Sequence, residues 1–100
     1  MAFEALVALH VVDEENFRLY RAGMTPLLES AGGSFRCDFA VSAVHHSDAP
    51  HPVNRVFVIR FPSRAVRDKF YADPAYLSIR EKHFSPAVPA RTVLAEYDCG

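Results

Sequence analysis

Tryptophan is absent from this chain, cysteine occurs twice, lysine twice against nine arginines, and glycine four times. Cys37 and Cys99 form neither a Cys-x-x-Cys pair nor a metal-ligand spacing, which excludes the common zinc modules and dithiol redox centres. Both read as small, reduced core or edge residues. No apolar run approaches the roughly 20 residues of a bilayer span, and no basic stretch precedes the apolar opening segment, so a cytoplasmic chain with no membrane partner is expected. An excess of either charge is missing too. A net charge of −1 and a pI near 6.5 leave no basic surplus for a nucleic-acid partner. The few glycines make no P-loop or Rossmann fingerprint, and no Gly-x-Ser-x-Gly elbow occurs.

What is present is apolar. At 100 residues, 50% hydrophobic and 23% charged, the chain reads as one globular domain over residues 1–100 with little spare surface for a deep cleft. Residues 3–12 are almost unbroken Ala, Leu and Val and predict a buried strand, after which Asp13 caps a helix. Phe17, Tyr20, Met24, Leu27 or Leu28 and Ala31 then recur at helical steps, with Glu14 and Glu15 in the first turn, where the helix dipole favours anions. Pro26 beside Gly23 predicts a kink or break, and Gly32-Gly33 end the helix. Residues 34–44 alternate at period two as a second strand, 45–54 are a loop, and 55–61, β-branched and aromatic, are a third strand. Ser63 caps a helix carrying Val66, Phe70 and Tyr71, and Asp73-Pro74 start a short one through Tyr76 and Ile79. A loop around Pro86 and Pro89 leads to a fourth strand at 91–97.

The order βαββαβ predicts a ferredoxin-like α+β fold, a four-stranded antiparallel or mixed sheet in the order 4-1-3-2 with the helices on one face. Strands two and four are then outermost, which places Cys37 and Cys99 about three spacings of ~4.8 Å apart, too far for a disulfide. Strands one and three are read as parallel neighbours. Phe3, Ala5, Val7, Leu9 and Val11; Phe35, Cys37, Phe39 and Val41; Phe57, Ile59 and Phe61; and Val93, Ala95 and Tyr97 make the oilier parity set, assigned to the helix side. Yet Leu6, Ala8, Val12, Val56, Val58 and Leu94 gather on the opposite face, which water would otherwise cover. Such a patch is unusual on a monomer. The economical cover is the same face of a second copy, so a homodimer through the sheet faces is expected.

Polar residues of that face supply the candidate site. Parallel pairing brings His10 close to Arg60, and the hairpin register sets Arg60 opposite Asp38 or Ala40. His10 has the chemistry of a general acid or base and Arg60 that of an anion holder, while Asp38 completes an ion-paired end of the interface. Tyr20 alone among the helix tyrosines is placed to reach a cavity; Tyr71 and Tyr76 read as core. The His45-His46-x-Asp48-x-x-His51 run has metal-ligand residue types, but Pro50 and Pro52 deny it a fixed scaffold, so neither metal nor other cofactor is assigned. Strand three looks like the basic-aromatic strand of an RNA recognition motif. Phe57 and Phe61 belong to the core parity, however, and leave no platform for stacking bases.

Tyr20 through Pro26, Gly32-Gly33, Phe61-Pro62-Ser63, Phe70-Tyr71, Asp73-Pro74-Ala75-Tyr76 and Arg80 stand in an order and spacing that resembles the uncharacterised bacterial family numbered 1330 among domains of unknown function. The similarity spans nearly the whole chain. It implies the dimeric α+β barrel superfamily, in which two ferredoxin-like subunits close their sheets into a barrel. Relatives there include cofactor-free monooxygenases, lactone isomerases, haem-degrading enzymes and members with no known activity, so the resemblance sets no chemistry. Family members often carry Arg-Gly-Gly on the second strand, where this chain has Asp38-Phe39-Ala40, so the resemblance leaves anion holding to Arg36 or Arg60. Tyr20 and Tyr76 carry over as pocket or packing positions.

Two functional readings follow. One is a homodimer that binds a metabolite without catalysis or simply associates. The other is a cofactor-independent enzyme of monooxygenase or isomerase type acting on a small, partly apolar, anionic molecule. In the second, His10 moves the proton, Arg60 holds the anion and Tyr20 orients the substrate. An open cleft between His10 and Tyr20 favours the enzyme, a filled one the binder.

Overall fold

A computed structural model describes residues 1–100. The chain forms β1 (Ala2–His10), α1 (Glu14–Ser30), β2 (Ser34–Ala40), β3 (Arg55–Phe61), α2 (Arg64–Ala72), α3 (Pro74–Ile79) and β4 (Ala90–Cys99). A π-helical turn at Arg80–Phe84 and a last helical turn at Ser85–Ala87 join α3 to β4, where the prolines predicted only a loop. Pro86 follows directly on the π-helical turn, where the backbone hydrogen-bond register changes.

The sheet runs β2-β3-β1-β4, the predicted order read from the other edge, and the fold is ferredoxin-like. All neighbours are antiparallel, including β1 and β3. The parallel pairing expected for these two strands is therefore wrong. The α1 crossover makes β1 and β2 run the same way, and β3, antiparallel to β2 and lying between them, is reversed against both.

Asp13 caps α1 by accepting a hydrogen bond from the Asn16 N–H at 3.0 Å. The helix runs through Pro26 without the break that was one of the two expectations there. Ala22 and Pro26 both lie on the exposed side, where water satisfies the carbonyl that Pro26 leaves free. Gly32, at φ 82°, supplies the left-handed residue that ends the helix. Gly33 packs so closely that a β-carbon there would lie 2.5 Å from Leu28 Cδ1 and 2.8 Å from the Arg60 carbonyl. Phe3, Leu9, Phe17, Met24, Leu28, Ile59 and Phe61 fill the space between helices and sheet.

Two β-bulges change which side chains face where. In β2 the register against β3 shifts between Phe35 and Cys37, so Arg36 is an extra residue; in β4 the shift against β1 makes Leu94 extra. Beyond each bulge the parity inverts. Cys37 and Phe39, assigned above to the core, turn to the open face, and Asp38 turns to the helix side. Likewise Ala95 and Tyr97 face outward, while Glu96 and Asp98 face the helices. Both cysteines are free thiols.

Candidate functional site

On the open face, register places Glu4 beside Arg60 on one side and Tyr97 on the other. Tyr97 Oη donates to Glu4 Oε1 at 2.9 Å, while Arg36 Nη1 and Arg60 Nη1 donate to Oε2 at 2.8 and 2.9 Å. Glu4 is 6% exposed, although its strand face carries no helix, because these three side chains cover it. The Tyr97 hydrogen bond, aided by Arg60 and Arg36 and opposed by burial, holds its carboxyl below the usual carboxylate range. Because the folded value lies below the unfolded one, unfolded chains take up the proton first as pH falls. The network's contribution is thus complete above the ordinary glutamate pKa and is lost on acidification through the folded value. Glu4→Gln is expected to flatten the acid limb of a pH–stability curve measured by urea unfolding, with an unchanged acid limb excluding this role for Glu4.

Around this quartet the face is apolar. Leu6 pairs with Val58 and Ala8 with Val56, and all but Ala8 are only half-buried. Phe39 at 58%, Leu94 at 44% and Tyr97 at 40% are strongly exposed for their size, and the bulges put them there. Ala8 is covered by the 41–54 segment, which Asn54 pins down: its side chain accepts from the Val11 N–H and donates to the Val11 carbonyl, each at 2.8 Å.

The four predicted site residues do not converge. His10 lies on the open face opposite Ala90, at the far end of β1 from the Glu4–Arg60 pair, because antiparallel pairing sends the C-terminal ends of β1 and β3 in opposite directions. Asp38 lies on the helix side, where Arg21 and Arg55 each donate to it at 2.8 Å. Burial alone would raise the Asp38 pKa, but the hydrogen bond and charge of Arg55, with the charge of Arg21, hold it below the usual range. Arg21 itself is sandwiched among Phe17, Phe35 and Phe57, its Cζ 4.0 Å from the Phe35 ring centre, with Nε and Nη2 buried and unpaired. Desolvation lowers its pKa.

Tyr20 is in the core. Its hydroxyl lies 2.8 Å from that of Tyr76, and burial raises the pKa of both phenols, so they stay neutral. The space left among Leu9, Phe17, Tyr20 and Arg21 is about 20 Å³, room for one water. The cleft expected between His10 and Tyr20 is filled, and a sheet separates the two residues. Tyr20→Phe leaves the Tyr76 hydroxyl buried without a partner and is expected to cost about 1–3 kcal/mol in chemical denaturation. The Tyr20→Phe/Tyr76→Phe pair should cost less than the two single changes summed; strict additivity would mean the hydroxyls do not interact.

The sequence did carry signals for the missed residues. Arg21 follows Phe17 by four and precedes Leu28 by seven, a charge set on the apolar stripe of α1. Glu4 is the one carboxylate inside an otherwise apolar central strand. Both positions demand partners.

The fold and this face define a ferredoxin-like α+β protein with one helix-covered and one uncovered sheet surface. The chain belongs to the family described as domain of unknown function DUF1330, whose model matches residues 5–97. Among solved structures it is similar to a protein of unknown function from Rhodopseudomonas palustris, with TM-score 0.81 and 17% identity over 99% of this chain and 82% of that one. A dabb family protein with a ferredoxin-like fold from Mesorhizobium loti is similar at TM-score 0.70 and 10% identity, covering 99% and 97%. A dimeric protein of unknown function and ferredoxin-like fold from Bacteroides fragilis is similar at TM-score 0.60 and 11% identity, covering 98% and 96%. No curated protein matches the chain. None of its helices is long and apolar enough to cross a membrane.

Proposed function

We propose that this protein is a homodimer closed through its open sheet face, and that its role is association or non-catalytic metabolite binding. The observation that carries this reading is the apolar surface of Leu6, Val56, Val58, Phe39 and Leu94 beside a carboxylate already satisfied within its own chain. An interface core of this kind can desolvate without leaving an unpaired anion. The dimeric Bacteroides fragilis protein of the same fold supports it. Free thiols at Cys37 and Cys99 suit a reducing cytoplasm. A proton-transfer enzyme built on His10, Arg60, Tyr20 and Asp38 has less support, since these residues occupy separate places and the interior beside Tyr20 is filled. Light scattering on a sizing column is expected to give twice the 11.2 kDa chain mass. A single-chain mass at micromolar concentration would remove the proposal.

A further inference from the structure

A second cavity lies on the helix side, between the sheet and the segment running from α2 to the π-helical turn. Its volume is about 280 Å³, just under the roughly 300–1,000 Å³ typical of small-molecule sites. Ala5, Val7 and Val93 form an apolar floor over the fully buried Phe3 and Phe61. Three guanidinium groups, those of Arg67, Arg80 and Arg91, stand around it, and Glu96 is the sole acid among the lining residues. Glu96 is engaged by Arg67, 3.5 Å away, and Arg67 also meets Asp68 at 2.6 Å. Arg80 and Arg91 pair with no carboxylate of the chain, so two positive charges border an apolar floor without compensation.

Local structure explains how they come together. Bulge-shifted β4 still turns Arg91 to the helix side, opposite the buried Leu9. Arg80 opens the π-helical turn, whose widened hydrogen bond runs from the Ser85 N–H back to the Arg80 carbonyl. Such turns recur at functional sites because they re-aim a side chain that a regular helix would direct elsewhere. Tyr71 completes the wall, and its hydroxyl makes no hydrogen bond within the chain. Burial pushes its pKa up to about 12, against the pull of Arg91, Arg67 and Arg80, so it is a neutral phenol able to donate.

We propose that this cleft binds a small organic carboxylate with an apolar body, the carboxylate held by Arg80 and Arg91 and the body resting on Val7 and Val93. Guanidinium forks match carboxylate geometry, and the floor rewards an apolar group that a bare inorganic anion lacks. The site gives the metabolite-binding part of the proposed function a place and a chemistry. It lies on the helix side and stands independently of the dimer.

The test uses phenylacetate and hexanoate as probes on the full chain, by calorimetric titration and thermal shift, with phenylacetamide and inorganic phosphate as comparators. Either carboxylate is expected to bind and raise the melting temperature. Arg80→Gln and Arg91→Gln should each weaken binding about tenfold, as loss of one charge-assisted contact does, while Arg18→Gln on the far surface leaves it unchanged. Should Arg80→Gln unfold, exposed Arg91 carries the test alone. Three results would each overturn the proposal: neither carboxylate binds the folded protein, binding survives Arg91→Gln undiminished, or the amide or phosphate binds as tightly. Light scattering on the same samples reports the dimer separately, so loss of ligand binding at unchanged mass leaves the assembly reading intact.

Discussion

Leu6→Asp is expected to convert the protein into a folded monomer. Leu6 sits on central strand β1, paired with Val58 and Ala95, and its half-exposed side chain points away from the helices. In the single chain the new carboxylate meets water and costs little. Between two sheet faces it loses that water and adds a second carboxylate beside Glu4, which Arg36 and Arg60 already hold. An unpaired buried charge of this kind costs about 2–5 kcal/mol, and a two-fold axis imposes it on both copies. Light scattering should show one chain mass with the thermal transition preserved, whereas Leu19→Asp, on the outer side of α1, should stay dimeric. A dimeric Leu6→Asp would mean that the chains meet elsewhere.

Phe61→Ala carries the other large effect, this time on stability. The ring is fully buried, lies opposite Phe3 in the sheet, and packs at 5.5 Å from Phe70 and 5.7 Å from Tyr71 between ring centres. Removing it forfeits apolar transfer and opens a cavity that the surrounding rings cannot close, for about 3–5 kcal/mol. Against a total of roughly 5–15 kcal/mol for a small domain, that is a large fraction, and the melting temperature should fall by upwards of about 12 °C. Phe39→Ala, 58% exposed on the open face, should leave single-chain stability nearly unchanged. Equal losses from the two changes would contradict the assignment of faces.

Element type was largely legible because periodicity and capping agree locally. Asp13, Ser63 and Asp73 each cap the helix their side-chain chemistry suggests, and Arg55–Phe61 is a strand to the residue. Side-chain direction was legible only as far as each bulge. Strict alternation carried through Arg36 sent Phe39 to the core and Asp38 to the surface, and carried through Leu94 it buried Tyr97. No residue type announces a bulge without a glycine, so composition offers no warning there. The candidate site failed for a different reason. One wrong strand direction moved His10 from the far end of β1 to the side of Arg60, and antiparallel geometry separates them again. Pro26 does not break α1, because a missing hydrogen bond matters less on a wet helix face than in a buried one.

The bulge at Arg36 makes the character of the outer surface depend on strand register rather than on residue identity. Deleting that one residue would leave Cys37, Asp38 and Phe39 on their present faces, opposite Val58, Phe57 and Val56, whereas pairing Arg36 into the ladder would draw Cys37 and Phe39 inward and set the Asp38 carboxylate outward, beyond reach of its Arg21 clasp on α1. Related chains therefore gain or lose a self-association surface when this one bulge forms or flattens, with every side chain in the strand kept.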